Sequence, residues 1–594
     1  MEYNGGMRLL LLLACNETGL SNQIKNPEGD TGIVCPDPGA FRAQPAADCK
    51  VDPPTGGFSP TVEWQWSSQA SGYDDIMSTP VVGNLNDDNA DGRIDADDIP
   101  DIVFSSFSNG GYTVAGALTA TSGDGSGDHW SILDAGGYHP HGSAGVAIGD
   151  FEADGAPEVC VAGMEVAVIC LHADGSLRWA SGTGVYGYGF PAFADLDEDG
   201  RSELIFGNQV YDADGNLLWA GAGGAGRWTS FAMDVDQDGS QEVVAGNTIY
   251  NADGSIRVQN SNPDGPCAAA DFDLDGNPEW VHVSSGTVYL NDLSGATRWA
   301  TAVPQGGGGP PTVADFDADG YPEVGVAGAY YYVVFDNDGS ILWQNPVQDY
   351  SSSVTGSSVF DFEGDGKADV VYSDEVILWV FDGATGAVKL QEDNHASGTL
   401  YEYPLIVDVD NDGATEIVLA SNNYGFPGWN GISVIGDSNG SWRPSRPIWN
   451  QYAYNIRNVE DDGSIPRNPD PFWKSFNNFR TGGTSLGLGS ELADLEPGEP
   501  EICCGRQELE LWIPISNLGL AASGVAEVRV TAGGQRLYSE EVELNPGAGR
   551  HVGPVTITKG EWNDPVKVSV DREDLVEECA EDNNVIELGA WPCD

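Results

Sequence analysis

Nine residues, Asp315-Phe316-Asp317-Ala318-Asp319-Gly320-Tyr321-Pro322-Glu323, put carboxylates at positions 1, 3, 5 and 9 of one loop and glycine at position 6. Hard cations such as Ca²⁺ take about 6–8 oxygen ligands at roughly 2.3–2.6 Å. Acidic residues at alternate positions aim several oxygens at one centre. The glycine permits a sharp turn, and the ninth carboxylate closes the shell as the chain enters a strand. The same pattern recurs in register six more times: Asp150, Glu152, Asp154 and Glu158; Asp195, Asp197, Asp199 and Glu203; Asp234, Asp236, Asp238 and Glu242; Asp271, Asp273, Asp275 and Glu279; Asp361, Glu363, Asp365 and Asp369; Asp408, Asp410, Asp412 and Glu416. Acidic turns are common in any protein, but turn formation does not require four carboxylates at fixed offsets.

Such loops need strands to hold them. Apolar runs follow each one, for example Glu158-Val-Cys-Val-Ala-Gly163 and Glu416-Ile-Val-Leu-Ala-Ser421. A tight Asp-Gly turn comes next, at 173–175, 213–215, 252–254 and 337–339, as suits a two-residue hairpin. The following strand carries Trp179, Trp219, Trp299 or Trp343. A tryptophan repeated at one register is read as packing between neighbouring repeats, with sugar stacking the alternative. Successive loops step by 45, 39, 37, 44, 46 and 47 residues, the length of four short strands and their turns.

The bulk numbers agree. The 594-residue chain has 25 basic and 92 acidic residues, a net charge of −67, which excludes a basic nucleic-acid surface and calls for bound cations. Its 79 glycines and 10% aromatics fit an all-β repeat protein with many turns. The length calls for more than one domain.

The Asp-rich loop, hydrophobic strand and spacing over residues 61–442 resemble the FG-GAP/VCBS repeat, the blade unit of integrin-α-like β-propellers. The resemblance implies a propeller with Ca²⁺ in each such loop, on one face. Eight loops favour eight blades; seven is the alternative if the first loop does not head a full blade. The stretch Glu63-Trp64-Gln65-Trp66 resembles the tryptophan strands and is expected to join the last blade. The first loop is enlarged: Asn84-Leu85-Asn86 aligns with Asp-Phe-Asp, and Pro100-Asp101 with Pro322-Glu323. Its insert, with Asp87, Asn89, Asp91, Gly92, Asp95 and Asp98, resembles an EF-hand or dockerin loop. Seven to nine Ca²⁺ ions are therefore expected, with Asp101 closing the first loop.

Outside the repeats, Leu9–Leu13 with Ala14 and Cys15 reads as a short secretory signal ending in a lipobox, with Cys15 the lipidated residue. Residues 16–60 read as a Pro-rich tether, and 443–494 as an aromatic and basic strap with Arg443, Arg446, Arg457, Arg467, Lys474 and Arg480. Residues 495–594 show short alternating runs at 509–515, 525–531, 537–544, 552–557, 566–570 and 585–588, the pattern of a small sandwich. With Ser516-Asn517-Leu518-Gly519, Leu544-Asn545-Pro546-Gly547 and Glu581-Asp582-Asn583-Asn584, they resemble the Ig-like CARDB family, whose members are generally spacers or binding modules. The ten cysteines pair locally as Cys35 with Cys49 and Cys160 with Cys170; Cys503 and Cys504 face Cys579 and Cys593 in either order, and Cys267 has no obvious partner.

Catalytic signals are weak. Gly436–Gly440 and Gly483–Gly487 spell Gly-x-Ser-x-Gly, but neither follows the strand-then-helix order of a nucleophile elbow. His139 and His141 form a close histidine pair that reads as solvated loop residues. The sequence thus points to an exported, calcium-binding, non-enzymatic surface protein for adhesion to a protein or glycan partner. It would touch no nucleic acid, meet the membrane only through a lipid anchor, and be able to self-associate. A Ca²⁺-dependent polysaccharide lyase and a subunit of a surface filament are the alternatives.

Overall fold

A computed structural model describes residues 38–42, 50–51, 58–68, 72–90, 92–96, 98–182, 189–482, 490–491, 493–505, 507–519, 523–545, 547–562, 566–571, 576 and 583–593. Cys15, Cys35, Cys49, Asp91, Ser485 and Cys579 lie outside them. The chain is all-β, with one 3₁₀ turn and a four-residue helix at Phe472–Ser475 among the described residues. It splits into two compact units, one from residues 50–491 and one from residues 1–49 with 492–594.

The repeat unit holds eight four-stranded antiparallel sheets. Seven are plain meanders, spanning 81–132, 146–181, 192–220, 231–259, 267–302, 312–346 and 358–392. The eighth takes three strands from 405–437 and its outermost from Pro60–Trp66, which pairs antiparallel with Gly431–Asp437. The expected union of the Trp64 strand with the last repeat is thus present. Burial falls from the first strand of each sheet to the last. Val146–Gly149 and Glu158–Ala162 are wholly buried, whereas Leu217–Ala220 is mostly exposed. First strands are short and rich in small apolar residues because they lie beside one another; adding a Cβ to Gly149 would bring it within 2.5 Å of the Phe193 ring.

Outer strands lock each sheet to the next. Trp130, Trp179, Trp219 and Trp299 donate their indole N–H groups to the turn carbonyls of Ala173, Ala213, Ala252 and Asn337 at 2.8–3.0 Å. Each ring covers the turn glycine, so a Cβ on Gly175, Gly215, Gly254 or Gly339 would strike it. Trp64 of the eighth sheet covers Gly125 of the first in the same way. These contacts are inter-sheet packing, the first of the two roles considered for the repeated tryptophan.

Residues 446–481 bond several of the first strands. Val82 and Trp449 exchange backbone hydrogen bonds at 2.9 Å, Ile148 N–H donates to Asn450 at 2.8 Å, and Phe479 N–H donates to Val313 at 2.8 Å. Arg480 is fully buried, its guanidinium 5.2 Å from the Tyr452 ring centre. The basic residues here divide: Arg446 bonds Tyr454 Oη and the carbonyls of Ile456 and Val459, whereas Arg467 reaches Asp195 of the third loop at 3.9 Å and Lys474 bonds Gln237 of the fourth.

The second unit is a sandwich. One sheet joins Ala548–Thr558, Glu508–Asn517 and Leu495–Pro497, with Glu501–Cys504 also on Glu508–Asn517; the other orders Gln535–Val542, Ala526–Ala532, Val566–Ser569 and Val585–Leu588. Alternation buries Val528 and Val530 against Leu509, Leu511 and Ile513. Cys504 bonds Cys593, Cys503 is disulfide-bonded as well, Cys160 bonds Cys170 between adjacent strands, and Cys267 is buried and free. The first sheet gains an edge strand, Ala40–Arg42, from the stretch read as tether. Its pattern is too short to be legible, and Gly549 admits it, since a Cβ there would lie 2.5 Å from the Phe41 ring.

Candidate metal centres

Every acidic loop joins the first strand of its sheet to the second, so the sheet fixes both ends. Position 1 leaves the buried first strand, and position 9 opens the buried second strand, as with Asp150 and Glu158. The position-6 glycine N–H donates to one oxygen of the position-1 carboxylate. The distances are 2.7 Å for Gly155 to Asp150, 2.8 Å for Gly200 to Asp195, 2.9 Å for Gly320 to Asp315 and 3.0 Å for Gly413 to Asp408. The position-2 N–H donates to one oxygen of the position-9 carboxylate, for example Phe316 to Glu323 at 2.7 Å and Val409 to Glu416 at 3.0 Å. The position-5 aspartate caps the turn, as Asp319 does for the Tyr321 N–H at 2.9 Å. One oxygen of each of these anchors is thus held by the turn; the second oxygen of Asp150, Asp234, Asp271, Asp315 and Asp361 accepts a further backbone N–H at 2.7–3.1 Å, whereas that of Asp195 and Asp408 accepts none.

The turn also needs a left-handed residue at position 4. Ala153, Glu198, Gln237, Leu274, Ala318 and Asn411 hold φ between 53° and 62° there. No glycine marks this position in those six loops, so the sequence hides a backbone conformation that non-glycine residues adopt only at a cost.

Ligand oxygens converge. Those of Asp315, Asp317, Asp319 and Glu323 lie within 4.8 Å of one another, as do those of Asp150, Glu152 and Glu158, of Asp195, Asp197 and Asp199, of Asp234, Asp236 and Glu242, and of Asp271, Asp273 and Glu279. Asp154, Asp238 and Asp275 stand outside these sets and cap their turns instead. In the enlarged first loop Asp101 takes the position-9 role, accepting from Leu85 N–H at 2.9 Å. Asp87 accepts from Gly92 N–H at 2.9 Å, the same one-to-six bond as in the regular loops. Asp98 spends both oxygens on backbone, accepting from Asp88, Asn89 and Asp95.

The fit of a cation can be judged from oxygens with nothing to bond. Asp195 Oδ1, Asp408 Oδ1 and Asp410 Oδ1 are buried without hydrogen-bond partners, as are Asn84 Oδ1 and Asn86 Oδ1. A buried unmet carboxylate oxygen is costly, and a hard cation removes that cost. Without a cation, burial pushes Glu323 and Glu416 up to about 9 and Glu203 to about 8, with neighbouring loop aspartates adding to the shift. The donor set therefore fits a divalent oxygen-seeking ion.

A second group of residues at the loops was not singled out from the sequence. Each outer strand carries one β-bulge, and in all eight sheets the extra residue occupies the same register: His129, Arg178, Leu218, Arg257, Arg298, Leu342, Lys389 and Glu63. Bulges re-aim side chains, and the five basic ones meet the acidic loop of their own sheet. Arg178 bonds Glu152 and Glu158, each at 2.5 Å. Arg257 bonds Asp236, and Glu242 at 3.3 Å; Arg298 bonds Asp273, and Glu279 at 2.7 Å. Lys389 reaches Glu363 at 2.8 Å and Asp369 at 2.7 Å, and His129 reaches Asp101 at 2.6 Å. Where Arg257 and Arg298 oppose the effect of burial, Glu242 and Glu279 rise only to about 7. The signal was present in the sequence as the residue immediately before the outer-strand tryptophan, in Arg178-Trp179, Arg298-Trp299 and Leu342-Trp343.

The candidate catalytic groups do not assemble. Ser438 follows the strand Gly431–Asp437 in a turn, its N–H donating to Ser59 at 2.9 Å. His139 bonds Glu165 at 2.8 Å, whereas His141 is buried beside Ser143 and pushed down to about 4 by burial.

Against this geometry stand the likenesses to known proteins. Residues 493–588 match the CARDB family model. The CARDB-like sandwich expected from the sequence is therefore present at the C-terminal end. The solved structures similar to the chain include the V. cholerae biofilm matrix protein Bap1, at TM-score 0.67 and 20% identity, over 73% of this chain and 100% of that one. At that identity the likeness is one of fold. A Bacillus licheniformis rhamnogalacturonan lyase is similar at TM-score 0.46 and 14% identity, over 73% of this chain and 82% of the lyase. The CARDB domain of a Pyrococcus furiosus protein, solved with di-metal ions, is similar at TM-score 0.14 and 24% identity, over 16% of this chain and 91% of that one. No curated protein matches the sequence. Among the described residues no helix is long and apolar enough to cross a membrane.

Proposed function

We propose that this chain is an exported, calcium-binding surface protein that acts by adhesion, with an eight-bladed FG-GAP/VCBS-type propeller as its repeat unit. The observation that carries the reading is the repetition itself: eight sheets of one design, each with an acidic loop at the same corner. The propeller is supported by the tryptophan contacts that pass from sheet to sheet and by Trp64, which links the eighth sheet back to the first. Calcium is supported by the converging carboxylates and the unmet buried oxygens. Its role is structural: with millimolar Ca²⁺ and a Kd of ~10⁻⁴ M, each ion adds ~1.4 kcal/mol to folding.

Adhesion is supported by the CARDB-like module and by a fold in common with a biofilm matrix protein. An extracellular location follows from the same reading, since abundant low-affinity Ca²⁺ loops and disulfides belong outside the cytosol. Binding is preferred to catalysis because Ser438 sits in a turn after its strand with its N–H on the Ser59 carbonyl, not in the strand-then-helix elbow of a nucleophile.

The experiment is a glycan and protein array probed with the full chain in Ca²⁺ and in chelator, beside an assay of depolymerisation on pectin-type polysaccharides. Calcium-dependent capture of a defined glycan or protein, with the polysaccharides intact, is the expected result. Chain cleavage of the polymer would overturn it in favour of a lyase.

A further inference from the structure

The seven regular acidic loops are alike in length and spacing but unlike in what faces them. In the second, fourth, fifth and seventh sheets the bulge residue is Arg178, Arg257, Arg298 or Lys389, and its charged head bridges loop positions 3 and 9 at distances from 2.5 to 3.3 Å wherever the bond is of ordinary length. A guanidinium or ammonium there lies between the carboxylates that a metal ion would gather. The third and sixth sheets put Leu218 and Leu342 at the same register, and the eighth puts Glu63 there. Gly436 on the adjoining strand makes room for Glu63, since a Cβ at that position would lie 2.0 Å from Glu63 Oε1.

A second observation sets the third and eighth loops apart; the sixth has no such oxygen, because Asp315 Oδ1 accepts from the Asp319 N–H at 3.1 Å, and it is assigned by its bulge residue alone. Among the loop carboxylates, the buried oxygens with no hydrogen-bond partner belong to Asp195, Asp408, Asp410 and Asp369. Lys389 Nζ faces Asp369 at 2.7 Å, whereas the other three lie in loops whose bulge residue carries no positive charge. Asp195 is 2% exposed and Asp408 5% exposed, so these oxygens are cut off from bulk solvent. Arg467 comes within 3.9 Å of Asp195, but at Oδ2, the oxygen already bonded by Gly200, and its own side chain is 60% exposed. The four carboxylates of the sixth loop converge with no basic side chain paired to any of them among the described residues.

We propose that the bulge residue of the outer strand sorts the loops: those of the third, sixth and eighth sheets bind divalent cations tightly, and those of the second, fourth, fifth and seventh sheets are neutralised by a cation of the chain itself. Glu63 adds a fifth carboxylate to the eighth loop, which becomes the tightest site. The inference rests on the calcium reading of the loops and refines which of them are occupied.

The test is native mass spectrometry and calorimetric titration of the full chain with Ca²⁺, comparing wild type with Leu342→Arg, Leu342→Met and Arg298→Leu. The seven regular loops should hold three tight ions in wild type and in Leu342→Met, over and above what the enlarged first loop holds. Leu342→Arg should leave two, with affinity at the sixth loop weakened on the order of 100-fold. Arg298→Leu should gain a fourth, and this gain keeps the test decisive even if Leu342→Arg folds poorly. Seven or eight ions of equal affinity, unchanged by Arg298→Leu, would overturn the sorting while leaving calcium binding intact. No ions in any variant would overturn calcium binding itself.

Discussion

The two units of this chain reach stability by opposite means. In the sandwich, alternation does the work: Val528, Val530, Leu511 and Ile513 face inward, and the Cys504–Cys593 bond ties strand to terminus. In the repeat unit the apolar strands are equally buried, yet each sheet also brings a cluster of carboxylates to one corner. Burying apolar surface is favourable without assistance. Gathering three or four carboxylates is not, so the repeat unit borrows charge from ions or from its own arginines. The difference teaches that the repeat unit needs counter-charge, built in or recruited, wherever its acidic residues are gathered at one corner.

The sharpest way to break this comparison is chelation. Calorimetry of the full chain should resolve two transitions, and removing Ca²⁺ should destabilise the repeat unit by about 4 kcal/mol if three loops are occupied. The sandwich transition should stay in place. A common shift of both would mean that the sandwich depends on ions as well.

Leu511→Ala should do the converse. Leu511 is fully buried in the sandwich core, and its truncation should cost about 3 kcal/mol there, equally with and without Ca²⁺. Urea unfolding followed in both media checks this.

Acidification offers a third separation. Burial holds His141 of the repeat unit down at about 4, while the unfolded chain takes up its proton near the ordinary value of 6.5. A depressed histidine contributes stability that is present above pH 6.5 and lost as pH falls toward 4. The repeat unit should lose up to roughly 3 kcal/mol over that window through this residue. His141→Asn keeps an acceptor for the Ser143 N–H, so the variant should gain on wild type steadily as pH falls from 6.5 to 4. A constant difference in denaturation midpoints across the window would show that His141 does not titrate with unfolding.

The smallest effect concerns the links between sheets. Trp299→Phe keeps most of the ring on Gly339 but loses the hydrogen bond to Asn337, for a cost of roughly 1 kcal/mol confined to the repeat transition. Amide exchange in the Asn337 turn is the finer measurement of the same loss.

Much of this was legible from residue order. The one-three-five-nine loops, their place before a buried strand, the four-strand period and the alternation of the C-terminal sandwich all arise from local chemistry: turn residues, strand periodicity and ligand spacing act over fewer than ten neighbours. Even the late joining of Glu63–Trp66 to the eighth sheet was readable, because a strand that matches the tryptophan strands needs an equivalent partner.

What only the tertiary structure decided depends on residues far apart in the chain. Ala40–Arg42 completes a sheet with strands about 500 residues away, and nothing in three residues announces that edge. The strap at 446–481 reads as a basic patch, but its backbone is bonded by the first strands of several sheets, so Arg480 turns inward and Arg446 onto carbonyls. The loops look equivalent in sequence, yet Arg298 reaches the fifth from the outer strand through a bulge, 25 residues downstream of Asp273, where the sixth sheet has Leu342 at the same register. Local spacing determines that carboxylates converge; the fold determines what neutralises them, because electrostatic balance is a property of the assembled neighbourhood and not of the loop.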